Sequence, residues 1–279
     1  MLWMTLAFFA IKLSSETPLA SGPATRKTQA MHLGAGYYRD FYLGPLGRVV
    51  RRLVGRRIRA RWHDVNGLTV MGLGYASPYL GVYAGEAEHL GSLMPAAQGV
   101  VRWPDEPPYR AVLVDEYDLP LGDSTVERLL LVHALEMSEA PQELLREAWR
   151  VLAPGGSLIA VVANRRGLWA RVDATPFGHG RPFSRGQLSD LLRDAMYSPV
   201  GWEGALAMPP SSRRYLLRSA PALERIGAVL MPGFEGVWIV EATKQVYAPV
   251  PARRVRRPAM RPALAPPAGT AMPKSGVKS

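Results

Sequence analysis

The densest supply of reactive side chains is Asn164-Arg165-Arg166-Gly167-Leu168-Trp169, followed by Pro176-Phe177-Gly178-His179-Gly180-Arg181-Pro182-Phe183-Ser184. An imidazole between two glycines, on what reads as loop, can serve as a general base or an orienting donor, which makes His179 the candidate catalytic residue. Arg165, Arg166 and Arg181 carry planar cationic forks suited to an anionic substrate. The same residues also fit a plainer reading: a loop pinned by arginine–carbonyl hydrogen bonds, with His179 in solvent. His133 stands near the end of an apolar run and reads as a core or rim histidine. His32, His63 and His89 are scattered and point to no metal site. The chain has no cysteine. That excludes a disulfide framework, a thiolate zinc site, an iron–sulfur cluster and a cysteine nucleophile, and leaves the compartment open.

Elements able to hold such a loop are plentiful. With 279 residues, 48% hydrophobic and 20% charged, the chain can bury a sizeable core. Its net charge of +11 is unevenly spread: residues 247–279 hold seven Lys or Arg and no acid, whereas residues 31–246 hold 24 basic against 22 acidic side chains. The Pro/Ala-rich stretch 248–279 has no hydrophobic periodicity and is expected to be a disordered basic tail. Its cluster Arg253-Arg254-Val255-Arg256-Arg257 could touch nucleic acid or anionic lipid, though a solvated tail is the simpler expectation. At the other end, Leu2 to Leu13 is apolar except for Thr5 and Lys12, short of the ~20 residues a spanning helix needs. Residues 1–30 are expected to be a disordered or mis-assigned extension, with translation starting at Met31. No transmembrane segment and a cytoplasmic location are expected, with residues 31–247 as one domain.

Within that domain, strand-like and helix-like runs alternate, which predicts an α/β sandwich. Arg48 to Arg61 places Val49, Leu53 and Ile58 on one stripe of a basic amphipathic helix, with arginines expected in solvent. Leu68 to Gly74 is a short β run ending in glycines, and Pro78 suits the first turn of a helix after it. Ala111 to Asp115 is a strand ending in acid, Glu127 to Leu135 a buried-type run, and Ala140 to Leu152 an amphipathic helix stopped at Pro154-Gly155-Gly156. Ser157 to Ala163 is apolar on both faces, as in a covered sheet. Ser184 N-caps a helix to Met196, and Gly236 to Tyr247 is a late edge or penultimate strand.

The order of these motifs resembles the class I S-adenosylmethionine-dependent methyltransferases, in particular the type-11 methyltransferase domain. The resemblance is carried by Asp118-Leu119-Pro120-Leu121, Asp123 to Leu129, His133-Ala134-Leu135-Glu136 and Leu145 to Gly156; it is clear over roughly residues 65–165. It implies a Rossmann-like fold, a mostly parallel seven-stranded sheet with helices on both faces. It implies S-adenosyl-L-methionine as cofactor and methyl transfer to an unidentified acceptor, small-molecule or otherwise, with the arginines suited to an acidic one. By the same resemblance, Gly72 and Gly74 would form the glycine turn beside the cofactor, and Asp115 or Glu116 would lie near the adenine amine. The loop bearing His179 and the arginines would reach the acceptor. Departures are Gly72 where the family has an acid, Ala76 and Pro78 where it has glycines, and Met94 where an acid usually holds the ribose. A thioether is a weak acceptor. An alternative is therefore a catalytically inactive, methyltransferase-like binding or regulatory protein. A third reading, nucleic-acid association through the tail and the Arg48–Arg61 helix, has no interleaved aromatic platform to support base recognition.

Overall fold

The computed structural model describes residues 34–246; the expectations for residues 1–30 and for the tail lie outside them. Seven strands form one sheet: β1 (Thr69–Gly74), β2 (His89–Pro95), β3 (Ala111–Val114), β4 (Val126–Val132), β5 (Leu152–Ala163), β6 (Tyr197–Ala205) and β7 (Val237–Lys244). Their order across the sheet is β3-β2-β1-β4-β5-β7-β6. The first five pair in parallel and β7 runs antiparallel between β5 and β6. Strand β7, within the run expected to be a late edge or penultimate strand, is thus last among the described strands and second from the edge in space.

Central strands are buried on both faces, and their alternation sorts side chains into two cores. Leu129, Leu131, Leu158, Ala160 and Val162 face helices α4 (Pro141–Val151) and α5 (Arg185–Asp194). Val70, Leu130, Val132, Ile159 and Val161 face α1 (Ala35–Leu43), α2 (Pro45–Arg61) and the short α3 (Ser77–Leu80). Burying each such aliphatic side chain contributes about 1.5–3 kcal/mol, so the core holds the strand ends as a rigid rim. Ser184 caps α5 as its type and position predict, in a reciprocal capping box with Gln187. Strand β5 begins earlier than Ser157: Leu152 pairs with Val126, the register then shifts, and Ser157 pairs with Arg128. Pro154-Gly155-Gly156 is therefore an irregularity inside a strand, with Gly155 at φ +75°, rather than a plain stop.

Helix α2 differs from its expected solvent-facing form. Arg57 pairs with Glu224 at 2.9 Å and Glu203 at 3.1 Å, Arg59 with Glu86 at 2.7 Å, and Arg61 with Glu241 at 3.4 Å. The end of the helix is thus tied to β6, β7 and, past the short α6 (Arg214–Arg218), helix α7 (Ala220–Leu230). Trp62 Nε1 donates to Ser157 Oγ at 3.0 Å, closing the same seam.

A second clamp positions the loop after β3. Arg150 on α4 donates to the carbonyls of Leu121 and Leu119 at 2.9 and 3.1 Å and to Asp123 at 2.6 Å. Glu147 accepts the Leu119 N–H at 2.8 Å and the Arg150 Nε–H at 2.9 Å. Among the described residues no helix is long and apolar enough to cross a membrane, and no group of three His, Asp or Glu could hold a metal ion.

Candidate functional site

In a parallel sheet, ligands lie outside the carboxyl ends of the strands where the winding direction reverses. Here that reversal falls between β1 and β4. Its two sides are built differently.

Over β2 and β3 there is a cavity of about 410 Å³, lined by Pro95, Ala96, Val114, Asp115, Glu116 and Glu139 among others. Asp115 Oδ1 accepts the N–H of Tyr117 at 2.9 Å, fixing the turn as the strand ends. The Tyr117 hydroxyl lies 3.0 Å from Ser138 Oγ and accepts the Ala140 N–H at 3.1 Å. Asp115 and Glu116, predicted as cofactor ligands, thus share one cavity wall. Strand β2 brings no carboxylate to it. Met94 is buried, with its sulfur accepting the Val101 N–H at 3.5 Å, and Pro95 and Ala96 end the strand.

Over β1 and β4 the rim is filled. The Tyr75 ring stacks on Tyr38 at 5.1 Å and on Tyr42 at 5.7 Å. Tyr79 donates to the Tyr42 hydroxyl at 3.2 Å, and Tyr42 lies 3.0 Å from His133 Nε2. His133 is fully buried, at φ +51°, with Nδ1 3.4 Å from Glu136 Oε1. A left-handed backbone is uncommon for histidine and is held here by its surroundings: the Gln98 amide donates to the His133 carbonyl at 2.6 Å, while the Gln98 carbonyl accepts the Ala35 N–H at 2.6 Å. Burial pushes the Tyr75 hydroxyl up to about 12 and raises Tyr38, Tyr42 and Tyr79 above the usual tyrosine range. Among the described residues, both Glu136 oxygens, His133 Nδ1 and the Tyr38 hydroxyl have no hydrogen-bond partner.

The two predicted glycines part company. Gly74 ends β1 at φ +84°, and a Cβ there would strike the Val132 carbonyl and Ala134, so it permits the close approach of β1 and β4 at the rim. Gly72 lies inside β1, where a Cβ would press on Ala76 and Leu80; it makes room for α3.

Arg165 and Arg181 line a second cavity of about 390 Å³, with Phe183, Gln187, Asp190 and Asp194 among its walls. Arg166 is exposed and lines neither cavity. His179 Nε2 lies 2.7 Å from the Asp173 carbonyl, and its ring meets Tyr37 of α1 edge-on at 5.9 Å. A carbonyl only accepts, so Nε2 donates in this bond, and Nδ1 is the ring nitrogen left outside it. Beside it the loop closes over the filled rim: the Arg181 N–H donates to the Glu136 carbonyl at 2.7 Å, and Phe177 packs 4.7 Å from His133.

Glu136 and the tyrosines of α1 went unassigned in the sequence. The spacing His133-x-x-Glu136 at a strand end, and the run Gly36-Tyr37-Tyr38-Arg39-Asp40-Phe41-Tyr42, were the available signals. Their meeting depends on contacts spanning 91 residues.

These features define the Rossmann-like fold of the class I methyltransferases: seven strands in this order, with one antiparallel strand inserted beside the edge. Residues 92–160 match the family described as a methyltransferase domain, type 11. A methyltransferase from Archaeoglobus fulgidus described as dependent on S-adenosylmethionine has a similar fold, with TM-score 0.50 and 17% identity over 70% of this chain and 94% of that one. Another from Thermotoga maritima, described as a possible histamine N-methyltransferase, gives 0.49 and 16% over 75% and 95%. A third, from Mesorhizobium loti, gives 0.48 and 14% over 68% and 96%. No curated protein matches the sequence.

Proposed function

We propose that this chain is an S-adenosylmethionine-dependent methyltransferase. The observation that carries the reading is the cavity beyond β2 and β3, walled by Asp115 and Glu116. It combines the strand ends expected of the fold with the acids the sequence resemblance assigns to the adenine.

The residues present fit the cofactor unequally. An ionised carboxylate only accepts hydrogen bonds, so Asp115 suits an exocyclic amine. Four unpartnered buried polar atoms at His133, Glu136 and Tyr38 suit the polar remainder of the molecule, since burying such groups unpaired costs free energy that a ligand can return. The ribose finds no acid on β2, and the tyrosyl rings over β1 must give way for the methionine end. Gly74 would lie beneath it at the end of β1, with Gly72 further back in the strand.

When bound, the cofactor supplies a methyl group already activated on a sulfonium. The remaining tasks belong to the chain. Arg165 and Arg181 would hold an anionic acceptor in their shared cavity, with Arg166 adding charge beside it. His179, outside the lining of that cavity, would take a proton through Nδ1 only from an acceptor that also reaches its loop. The aromatic layer of Tyr38, Tyr42, Tyr75 and Phe177 would exclude water from the transfer.

A specific observation favours a second reading, a methyltransferase-like binding or regulatory protein without turnover: the filled rim over β1 together with Met94 on β2. Calorimetric titration with S-adenosylmethionine and S-adenosylhomocysteine, on wild type and Asp115→Ala, tests the binding claim. Micromolar binding weakened about tenfold in the variant is expected, and no binding up to millimolar ligand would overturn it. Transfer of labelled methyl to acidic small molecules then separates the two readings.

A further inference from the structure

The seven arginines of α2 divide into two sets. Arg57, Arg59 and Arg61 are engaged by Glu203, Glu224, Glu86 and Glu241. Arg48, Arg51, Arg52 and Arg56 form no ion pair among the described residues and are exposed. All four of these line a single groove of about 840 Å³ between α2 and the α3 turn, and Arg59 and His63 continue the same wall. The groove shares no residue with the cavity at Asp115 or with that at Arg165 and Arg181.

Solvation alone explains a scattered charged face, but not the convergence of every unpaired arginine of one helix on one concave wall. Four like charges on one helix face and one groove wall form a positive strip that attracts anions. Positions 48, 52 and 56 follow one stripe, four residues apart, with Arg51 beside it. At 1.5 Å rise per residue they span about 12 Å. That is a ladder of guanidinium groups for a linear series of phosphates, and each fork can take a phosphate bidentately. The floor is Gly55, Pro78, Tyr79 and Val82. Tyr79 is buried there and offers no face on which a base could stack.

We propose that this groove binds the phosphodiester backbone of single-stranded nucleic acid without reading its bases. The concavity favours a single strand over a flat bilayer, whose headgroups would meet the rim but not the wall. A groove of about 840 Å³ has room for one strand and not for a whole duplex. The site is independent of methyl transfer, and its failure would leave the proposed cofactor cavity untouched.

The test is fluorescence anisotropy of the full-length protein with a labelled 20-nucleotide oligouridylate across 50–200 mM salt. Three proteins are compared: wild type, Arg48→Glu/Arg52→Glu/Arg56→Glu, and a control of equal charge change, Arg146→Glu/Arg171→Glu/Arg214→Glu, all exposed positions. Wild-type affinity should fall with salt, with a log–log slope steeper by about 2 than that of the groove variant, from roughly 0.7 per phosphate lost. The groove variant should bind at least about tenfold more weakly, with the control much closer to wild type. Equal loss in both variants would overturn the proposal, as would binding that vanishes only when residues 249–279 are deleted. So would binding to phosphatidylserine vesicles through these arginines with none to oligouridylate, which would assign the groove to a membrane. Unchanged circular dichroism and unfolding midpoint of the groove variant show that lost binding is not lost folding.

Discussion

Across the junction of β1 and β4, two parts of the same rim are built on opposite terms. Over β2 and β3 the strand ends are small or acidic, a cavity of about 410 Å³ stands open, and Asp115 is exposed. Over β1 and β4 the rings of Tyr38, Tyr42 and Tyr75 stack into a dry layer above a fully buried His133 and Glu136. The open half is shaped from a distance, by the Arg150 and Glu147 clamp that fixes the loop after β3. The closed half is held by its own contacts. The difference teaches that a cofactor with an adenine at one end and a charged methionine at the other would meet a ready pocket first and a packed one second. Binding energy from the first would serve to open the second.

Breaking the closed half should have the largest effect. Tyr42→Ala removes a buried ring that touches Tyr75, Tyr79 and His133, and is expected to cost about 3–5 kcal/mol in urea unfolding. Tyr42→Phe keeps the ring but leaves His133 Nε2 without its partner, for about 1–3 kcal/mol. If the halves are separate, neither should weaken adenosine binding at the open cavity.

Next is the clamp. Glu147→Ala deletes the acceptor for the Leu119 N–H and the partner of Arg150, for roughly 2–3 kcal/mol, and should also blur the cavity and lower cofactor affinity. The hydrogen bond from Arg150 holds the Glu147 carboxyl below its ordinary value of 4.5. A depressed carboxylate contributes stability that is present above its unfolded-state value and is lost as pH falls through the folded one. Wild-type stability should therefore drop more steeply than the variant's below about pH 4.5, as read from unfolding midpoints in acid.

The open half responds more mildly. Asp115→Ala should lower S-adenosylhomocysteine affinity about tenfold, near 1.4 kcal/mol, with an unfolding midpoint only slightly lowered, because the exposed side chain gives up one hydrogen bond, from the Tyr117 N–H. Smallest is a gain: Ala96→Asp sets a carboxylate at the exposed end of β2, where the ribose otherwise lacks one. About 1 kcal/mol for a new hydrogen bond predicts roughly fivefold tighter binding, measured by calorimetry.

Much of this contrast follows from how far the relevant contacts reach. Strands β1, β3, β4 and β5, helix α4 and the Ser184 cap announce themselves through period, propensity and neighbours a few residues away. The place of Asp115, just past the end of a strand, could be read from such a pattern; the adenine role comes only from the resemblance. The aromatic lid could not: Tyr42 reaches His133 across 91 positions, and nothing local to Gly36-Tyr37-Tyr38 says which strand ends it covers. Gly72 and Gly74 look alike in sequence, yet one makes room for a helix and the other for a neighbouring strand. The arginines of α2 were legible as a basic helix, but their division into paired and unpaired sets depends on acids on β6, β7 and α7. Arg165 and Arg181 converge on a cavity while Arg166, one position away, does not, because the backbone turns between them.

The unequal rim is tested most directly by amide hydrogen exchange with and without saturating S-adenosylhomocysteine. The account predicts slowed exchange over residues 114–118, where the open cavity accepts the adenine, together with altered exchange over 35–43 and 75–80, where the tyrosine layer must rearrange. Changes in neither region, under conditions where calorimetry shows ligand bound, would contradict it.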